Sequence, residues 1–463
     1  MDSSSSIWQH CLQYAARSDI GLRRANNQDA LAVMPADSQA SWRQRGHLFV
    51  VADGMGAHAA GELASKIACD VVPLSYLKLA VAPPLALQSA ILDANAQIHA
   101  RGQSDPEFKG MGTTCTALAL LPEGAIVAHV GDSRAYRFRA GTIEQLTFDH
   151  SLLWELRQSG QVGEEALRNY VSKNIITRSL GPSPSVQIDL EGPFPIEVGD
   201  TYLLCSDGLS NQVNDEEIGA VLDCLPIDEA VESLVNLANL RGGPDNITVI
   251  AVRVTGPQQA CAEEPTSGDR RSARRGEVHP LLWALIGALA AAAALLFILQ
   301  HRLAAGIALV AAAVVAVFVL AERYGAAAAE EPMRRYRPLG RGPHVTNRAA
   351  PGAKFCATLV DLCNQLREAA ANESWTIDWE ELDRRMAQAR QDADRGDHRA
   401  AGGGYLRVIS FLMGQIRRQS QAASTADRQG HDRDGHGGGG DRGGYGGEED
   451  NGPDDGGRSV LDV

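Results

Sequence analysis

The stretch Leu48-Phe49-Val50-Val51-Ala52-Asp53-Gly54 sets a carboxylate and a glycine at the end of an uninterrupted apolar run. Three other places repeat the arrangement. Ile126–Val130 runs into Gly131-Asp132, Thr201–Cys205 runs into Ser206-Asp207-Gly208, and Gly243-Pro244-Asp245-Asn246 opens directly into Ile247–Val252. A single Asp-Gly at a strand end is ordinarily a turn or a helix cap. Four with one logic point to carboxylates converging at the ends of buried strands, where an acid is costly unless it is paired or bound to a metal. A divalent cation is the simplest neutraliser, and all-oxygen ligation selects Mg2+ or Mn2+ over zinc or copper. Two such ions can share a water, lower its pKa and clamp a phosphoryl group, which gives metal-assisted phosphoester hydrolysis. The spacing alone leaves a glycosidase or another metal hydrolase open.

Around these segments, residues from about 11 to 255 mix short β-rich runs with helical stretches. The β-rich runs are Leu48–Ala52, Thr114–Leu121, Ile126–Val130, Thr201–Cys205 and Ile247–Val254; the helical ones are Ala59–Leu79, Leu85–Ala100, Ser151–Ser159, Asp215–Leu222 and Ile227–Leu240. Strands and helices do not alternate regularly, so the pattern predicts an α+β or layered sandwich architecture, not a doubly wound sheet. The expected organisation is an N-terminal tail over 1–8, a catalytic domain over 9–256, and a basic linker over 257–279. Two apolar stretches, Leu281–Leu299 and Leu303–Leu320, then predict a transmembrane helical hairpin within 280–322. Each stretch would span roughly 27–30 Å, one hydrocarbon core. Arginines flank both outer ends (Arg270, Arg271, Arg274 and Arg275 before; Arg323, Arg334, Arg335 and Arg337 after), which places both on the cytoplasmic side. A basic juxtamembrane linker is expected over 323–353, and a small helical module over 354–420 whose apolar stripe offers a docking surface. A disordered Gly/Asp-rich tail is expected over 421–463.

The 463 residues carry a formal net charge of −14, which argues against nucleic acid as partner. The eight cysteines form no C-x-x-C pair, so a structural zinc site is not expected, and the apolar settings of several suggest buried free thiols in a reducing compartment. MDSSSSIWQH lacks the basic and apolar regions of a secretory signal. Cys11 to Arg17 has the C-x5-R spacing of cysteine phosphatases, but the intervening Leu-Gln-Tyr-Ala-Ala has no glycine to turn N–H groups toward phosphate and reads as the start of a strand.

Gly21–Asp29 (GLRRANNQD) looks like the opening motif of the PP2C-like metal-dependent protein phosphatases. VVADGMGAHAAGELAS from Val50, MGTTCTAL from Met111, HVGDSRAYRF from His129, LTFDHSLL from Leu146, NIITRSLG from Asn174, LLCSDGLSN from Leu203 and GGPDNITV from Gly242 continue the series in family order. The bacterial serine/threonine branch fits best. The resemblance implies a central antiparallel β-sandwich flanked by helices, with metals in a cleft at one edge. It implies that Asp53 bridges two Mn2+ or Mg2+ ions, that the Gly54 carbonyl ligates one, and that Asp207 and Asp245 complete the first. Asp132, with Asp207, would hold a third ion. Arg24 would grip the substrate phosphate through its planar fork, and Asp29 would orient metal-bound water.

The sequence departs from the family pattern at Gln28 (usually Glu), Met55 (a His general acid in eukaryotic members), Ala57 (usually Gly) and Tyr170-Val171 (usually His-Pro), the last in a flap over about 155–175. None of these changes removes an aspartate assigned to a metal, so an active enzyme is expected. His150 invites a general-acid role, while Asp149 beside it could cap the following helix. The expected protein hydrolyses phosphoserine and phosphothreonine, acts on phosphorylated proteins opposite a serine/threonine kinase, and sits in the inner membrane as a multi-pass protein with catalytic domain and C-terminus cytoplasmic. The alternative is a catalytically weak membrane scaffold that binds phosphoproteins.

Overall fold

The computed structural model describes residues 11–57, 59–159, 175–256, 338–373 and 375–434, with isolated residues between 288 and 313. Two antiparallel sheets stack on each other. One runs in the order β1 (Leu12–Asp19), β11 (Ile247–Val254), β10 (Thr201–Cys205), β7 (Arg134–Arg139), β8 (Thr142–Gln145) and β12 (Val345–Arg348). The other runs β2 (Asp29–Met34), β3 (His47–Met55), β5 (Cys115–Leu121), β6 (Gly124–Val130) and β9 (Asp189–Phe194), with β4 (Gly112–Thr113) on the end of β3. A short helix α1 (Gln39–Arg45), capped by Ser38, joins β2 to β3.

The near-continuous apolar runs are explained by burial on both faces. In β3, Phe49 and Val51 point between the sheets, while Leu48, Val50 and Ala52 point outward under helices α2 (Ala60–Lys78) and α3 (Pro83–Ser104). In β11, Ile250, Val252 and Val254 face the inter-sheet core and Ile247, Val249 and Ala251 face the opposite layer. Beyond β8 lies α4 (Leu152–Ser159), and beyond β10 lies the single turn α5 (Asp207–Ser210). That layer holds α6 (Asp215–Cys224), opened by an Asn214–Glu217 capping box, and α7 (Ile227–Leu240).

The α+β sandwich matches the expectation. The C-terminal region does not behave as a linker followed by a separate module. β12, inside the expected 323–353 linker, pairs with the edge strand β8, and Gly342 N–H and His344 Nε2 donate to the buried Glu191 carboxylate of β9 at 2.7 and 3.1 Å. Helix α10 (His398–Asp434) lies on α6 and α7, helices α8 (Ala353–Asn372) and α9 (Trp379–Asp394) pack on α10, and all five share one apolar core. The stripe read as a docking surface is therefore consumed by intramolecular packing. α10 also runs past 421, where the tail was expected to begin, and the Gly-rich run starts only after Asp434.

Among the described residues no helix is long and apolar enough to cross a membrane, and the hairpin expected over 280–322 lies almost wholly outside them. So does 160–174, most of the expected flap. Cys11 is disulfide-bonded, contrary to the free-thiol reading, whereas Cys69, Cys115, Cys205, Cys356 and Cys363 are buried and free.

Candidate metal centre

The strand ends bring the predicted aspartates to one edge of the sandwich. Asp29 opens β2 and Asp53 lies near the end of β3, directly opposite each other in register. Asp132 follows β6, Asp207 begins α5 after β10, and Asp245 precedes β11. The backbone of Asp53 is fixed from three directions: its N–H donates to Thr114 Oγ1 (2.9 Å), and its carbonyl accepts from Thr114 N–H (2.8 Å) and Thr113 Oγ1 (2.9 Å). Gly54 must be glycine, since a Cβ there would lie 2.1 Å from the Gly61 carbonyl oxygen.

The electrostatics are those of too many carboxylates in too little water. Burial raises Asp53 well above the usual range, and Asp29, Asp207, Asp132 and Asp245 push it further in the same direction. Burial lifts Asp132 to about 8 and Asp207 to about 6, helped by Asp207 and Asp245 respectively. Asp29 rises to about 7 by burial, partly opposed by the Ser206 hydroxyl, which donates to its Oδ2 at 2.7 Å. Asp29 Oδ1, Asp132 Oδ1 and Asp207 Oδ1 are buried without a hydrogen-bond partner. Such oxygens are costly unless a cation meets them. The set fits a hard divalent ion by charge and by donor chemistry. Among the described residues, no three His, Cys, Asp or Glu side chains already close around a common point. The carboxylates thus interact across the edge without forming a finished cage.

A stability prediction follows from the sign of these shifts. Between the unfolded carboxylate value of about 3.9 and the raised folded values, the folded chain binds more protons than the unfolded one. Raising pH through that window costs stability. In EDTA the melting temperature is expected to fall from about pH 5 to about pH 8, and Mn2+ is expected to abolish the fall. A flat profile in EDTA, read by scanning calorimetry, would show that the cluster titrates normally.

Arg24 stands at the exposed rim, its Nη2 2.8 Å from Asp245 Oδ2. Gln28 faces inward: its backbone N–H donates to Asn246 Oδ1 (2.8 Å), its carbonyl accepts from Gly54 N–H (3.1 Å), and its side-chain amide donates to the Gly56 carbonyl (3.3 Å). Ala57 is not among the positive-φ residues, so its methyl is tolerated where the family carries glycine.

Asp149 is no helix cap. It takes a bidentate pair from Arg134, at 2.7 Å for the closest contact, and Ser151 Oγ accepts from Trp154 N–H at the start of α4 instead. Sequence reasoning passed over Asn246, whose amide donates to the Ile20 and Asn26 carbonyls at 2.8 and 3.1 Å and so ties the Arg24 loop to Asp245. Its position directly after a strand-end aspartate was the available signal.

The profile of the family described as Protein phosphatase 2C matches residues 23–241. A putative protein phosphatase 2C-type of Streptococcus pyogenes is 37% identical over 246 residues, which cover 52% of this chain and 97% of that protein. The serine/threonine protein phosphatase PstP of Mycobacterium tuberculosis is 36% identical over 271 residues, 56% of this chain and 49% of PstP. A crystal structure of the PstP catalytic domain in complex with two manganese ions has 35% identity and a TM-score of 0.46, over 53% of this chain and 99% of that one.

Proposed function

From the premise that this chain belongs to the protein phosphatase 2C family and is a metal-dependent protein serine/threonine phosphatase, we propose a division of labour among the residues at the sandwich edge. The observation that carries it is the set of three buried, unpartnered carboxylate oxygens on Asp29, Asp132 and Asp207 beside Asp53. Protein phosphatase 2C enzymes use Mn2+ or Mg2+. Bound here, such ions would supply charge neutralisation, a more acidic water and Lewis acidity toward the phosphoryl oxygens.

Asp53, the Gly54 carbonyl, Asp207 and Asp245 would hold two ions, and Asp132 with Asp207 a third. Asp29 keeps a hydrogen bond with Ser206 on one oxygen and leaves the other to orient water. Arg24, exposed at the rim, receives the phosphate of a phosphoserine or phosphothreonine and draws it against the carboxylate edge. The substrates are phosphorylated proteins, in opposition to a serine/threonine kinase. We place the chain in the inner membrane through the apolar pair within 280–322, with the catalytic body and C-terminus cytoplasmic. The support is the length of the two apolar stretches and the arginines outside them.

The test is release of phosphate by the full chain from a phosphothreonine peptide, in Mn2+ and in EDTA. Turnover that persists in EDTA would sink the metal-dependent reading. Arg24→Ala is expected to lower kcat/KM by about 10–100-fold, the worth of a charged hydrogen-bonding pair, mainly through KM. Arg24→Lys would restore only part, since it keeps the charge and loses the fork. Equal kcat/KM for the alanine variant and the parent would remove Arg24 from the site.

A further inference from the structure

We infer that His150 is a positioning residue for Asp132, acting through the Gly131 backbone and not on substrate; the inference rests on the reading of Asp132 as a metal ligand. Asp132 is 6% exposed, and its Oδ1 has no hydrogen-bond partner. No side chain fixes that oxygen, so its aim depends on the turn that carries it. The turn is Gly131, held at φ +115, where a Cβ would lie 2.5 Å from Thr114 Cγ2. Both polar groups of Gly131 are gripped. Its N–H donates to His150 Nδ1 at 3.0 Å, and its carbonyl accepts from the His150 backbone N–H at 2.7 Å and from His129 Nε2 at 2.9 Å.

These bonds fix the state of the ring. Since Nδ1 accepts from Gly131, the ring proton sits on Nε2, and Nε2–H donates to Asp189 Oδ2 at 3.0 Å. Asp189 Oδ1 in turn accepts from Arg178 at 2.9 Å. His150 is fully buried, and neither ring nitrogen is left to meet a leaving group. The imidazole therefore works as a bracket. One nitrogen holds the turn before Asp132, and the other is braced on an ion pair. The same residue accepts Thr177 N–H at its carbonyl (2.8 Å), so one bracket joins three chain segments beside the metal centre.

The test is Mn2+ binding to the full chain by titration calorimetry, with melting in EDTA measured alongside. Asp132→Asn is expected to lose the weakest-binding ion. His150→Ala is expected to weaken that same ion by about 10-fold or more, the usual effect of removing a partner behind a ligand. His150→Asn, whose amide oxygen can accept from Gly131 at the Nδ1 position, is expected to recover most of the loss. A His150→Ala protein that melts earlier yet binds every ion as the parent does would reduce His150 to packing and overturn the proposal. If His150→Ala does not fold, Asp189→Asn decides at a half-buried position: weaker binding of the same ion supports the bracket, and unchanged binding overturns it. Full ion binding by Asp132→Asn would instead overturn the metal assignment of Asp132, and the bracket with it.

Discussion

Asparagine in place of Asp53 is expected to cut turnover by orders of magnitude and, in the metal-free protein, to raise the melting temperature. The two effects share one cause. Asp53 is pushed far above the ordinary carboxylate range by loss of water and by four neighbouring aspartates. Without a cation, the folded chain must either protonate that group or hold like charges together, and both cost free energy. Asparagine keeps the shape and removes the charge. The backbone of residue 53 is secured by Thr113 and Thr114, so the substitution leaves the strand end in place. A gain of 1 kcal/mol in a body of this size would appear as about 2–4 °C. With Mn2+ the order is expected to invert, because only the parent gains the binding free energy of ions held at Asp53. Phosphate release is expected to fall by about 10²–10³-fold or more, the scale seen when one preorganised charge-stabilising group is lost. Melting curves of both proteins in EDTA and in Mn2+, with a phosphopeptide assay, check all three. A variant less stable than the parent in EDTA would mean that Asp53 makes favourable contacts in the metal-free protein and that the strain lies elsewhere. The exchange of stability for function at one residue is what a strained catalytic centre predicts.

Much of this centre was legible in the sequence because its signal is local. An apolar run with an aspartate at its end marks both a buried strand and an acid, and the four such aspartates, Asp53, Asp132, Asp207 and Asp245, meet at one edge. The helices Ala60–Lys78 and Ile227–Leu240 were readable for the same reason. What was not legible depends on partners far away in the chain. Val345-Thr346-Asn347-Arg348 has no apolar alternation and buries little. It is a strand because Thr142–Gln145, some 200 residues earlier, offers an unpaired edge. The amphipathic faces of 354–420 were visible, but not that their partner is the outer face of the catalytic sandwich. His150 left a general-acid role open beside a structural one, because sequence shows the ring and hides the bonds on both of its nitrogens. Asp149 looked like a cap because Arg134 lies out of local view.

Ending the chain at residue 256 is therefore expected to cost most of its stability, although the family match ends before that point. The outer face of the first sheet carries α6 and α7, and their apolar residues Val221, Leu225, Val231, Leu234 and Val235 belong to one core with Leu359, Leu366, Leu406, Ile409 and Leu412 of α8 and α10. Each large side chain in that interface is worth about 1.5–3 kcal/mol when buried. Several together rival the net stability of an ordinary domain, about 5–15 kcal/mol. The fit is close. Gly402-Gly403-Gly404 occupy the interior of α10, where each glycine costs about 1 kcal/mol relative to alanine. The contacts account for them: a Cβ on Gly402 would stand 3.0 Å from Cys224 Sγ, and one on Gly404 2.8 Å from Ala389 Cβ. The fragment 1–256 is expected to melt far below the full chain and to bind a dye that reports exposed apolar surface. A separate polypeptide of residues 338–434 is expected to restore the melting temperature, and the same polypeptide with Gly404→Leu is expected not to. A monomeric 1–256 that melts with the parent would show that the C-terminal layer only rests on the sandwich. If the fragment fails as expected, the apolar pair within 280–322 is an insertion into one folded body, not a tether between two. The chain leaves the first sheet after β11 and rejoins it at β12, so any load on the inserted segment would reach the catalytic sheet through both strands.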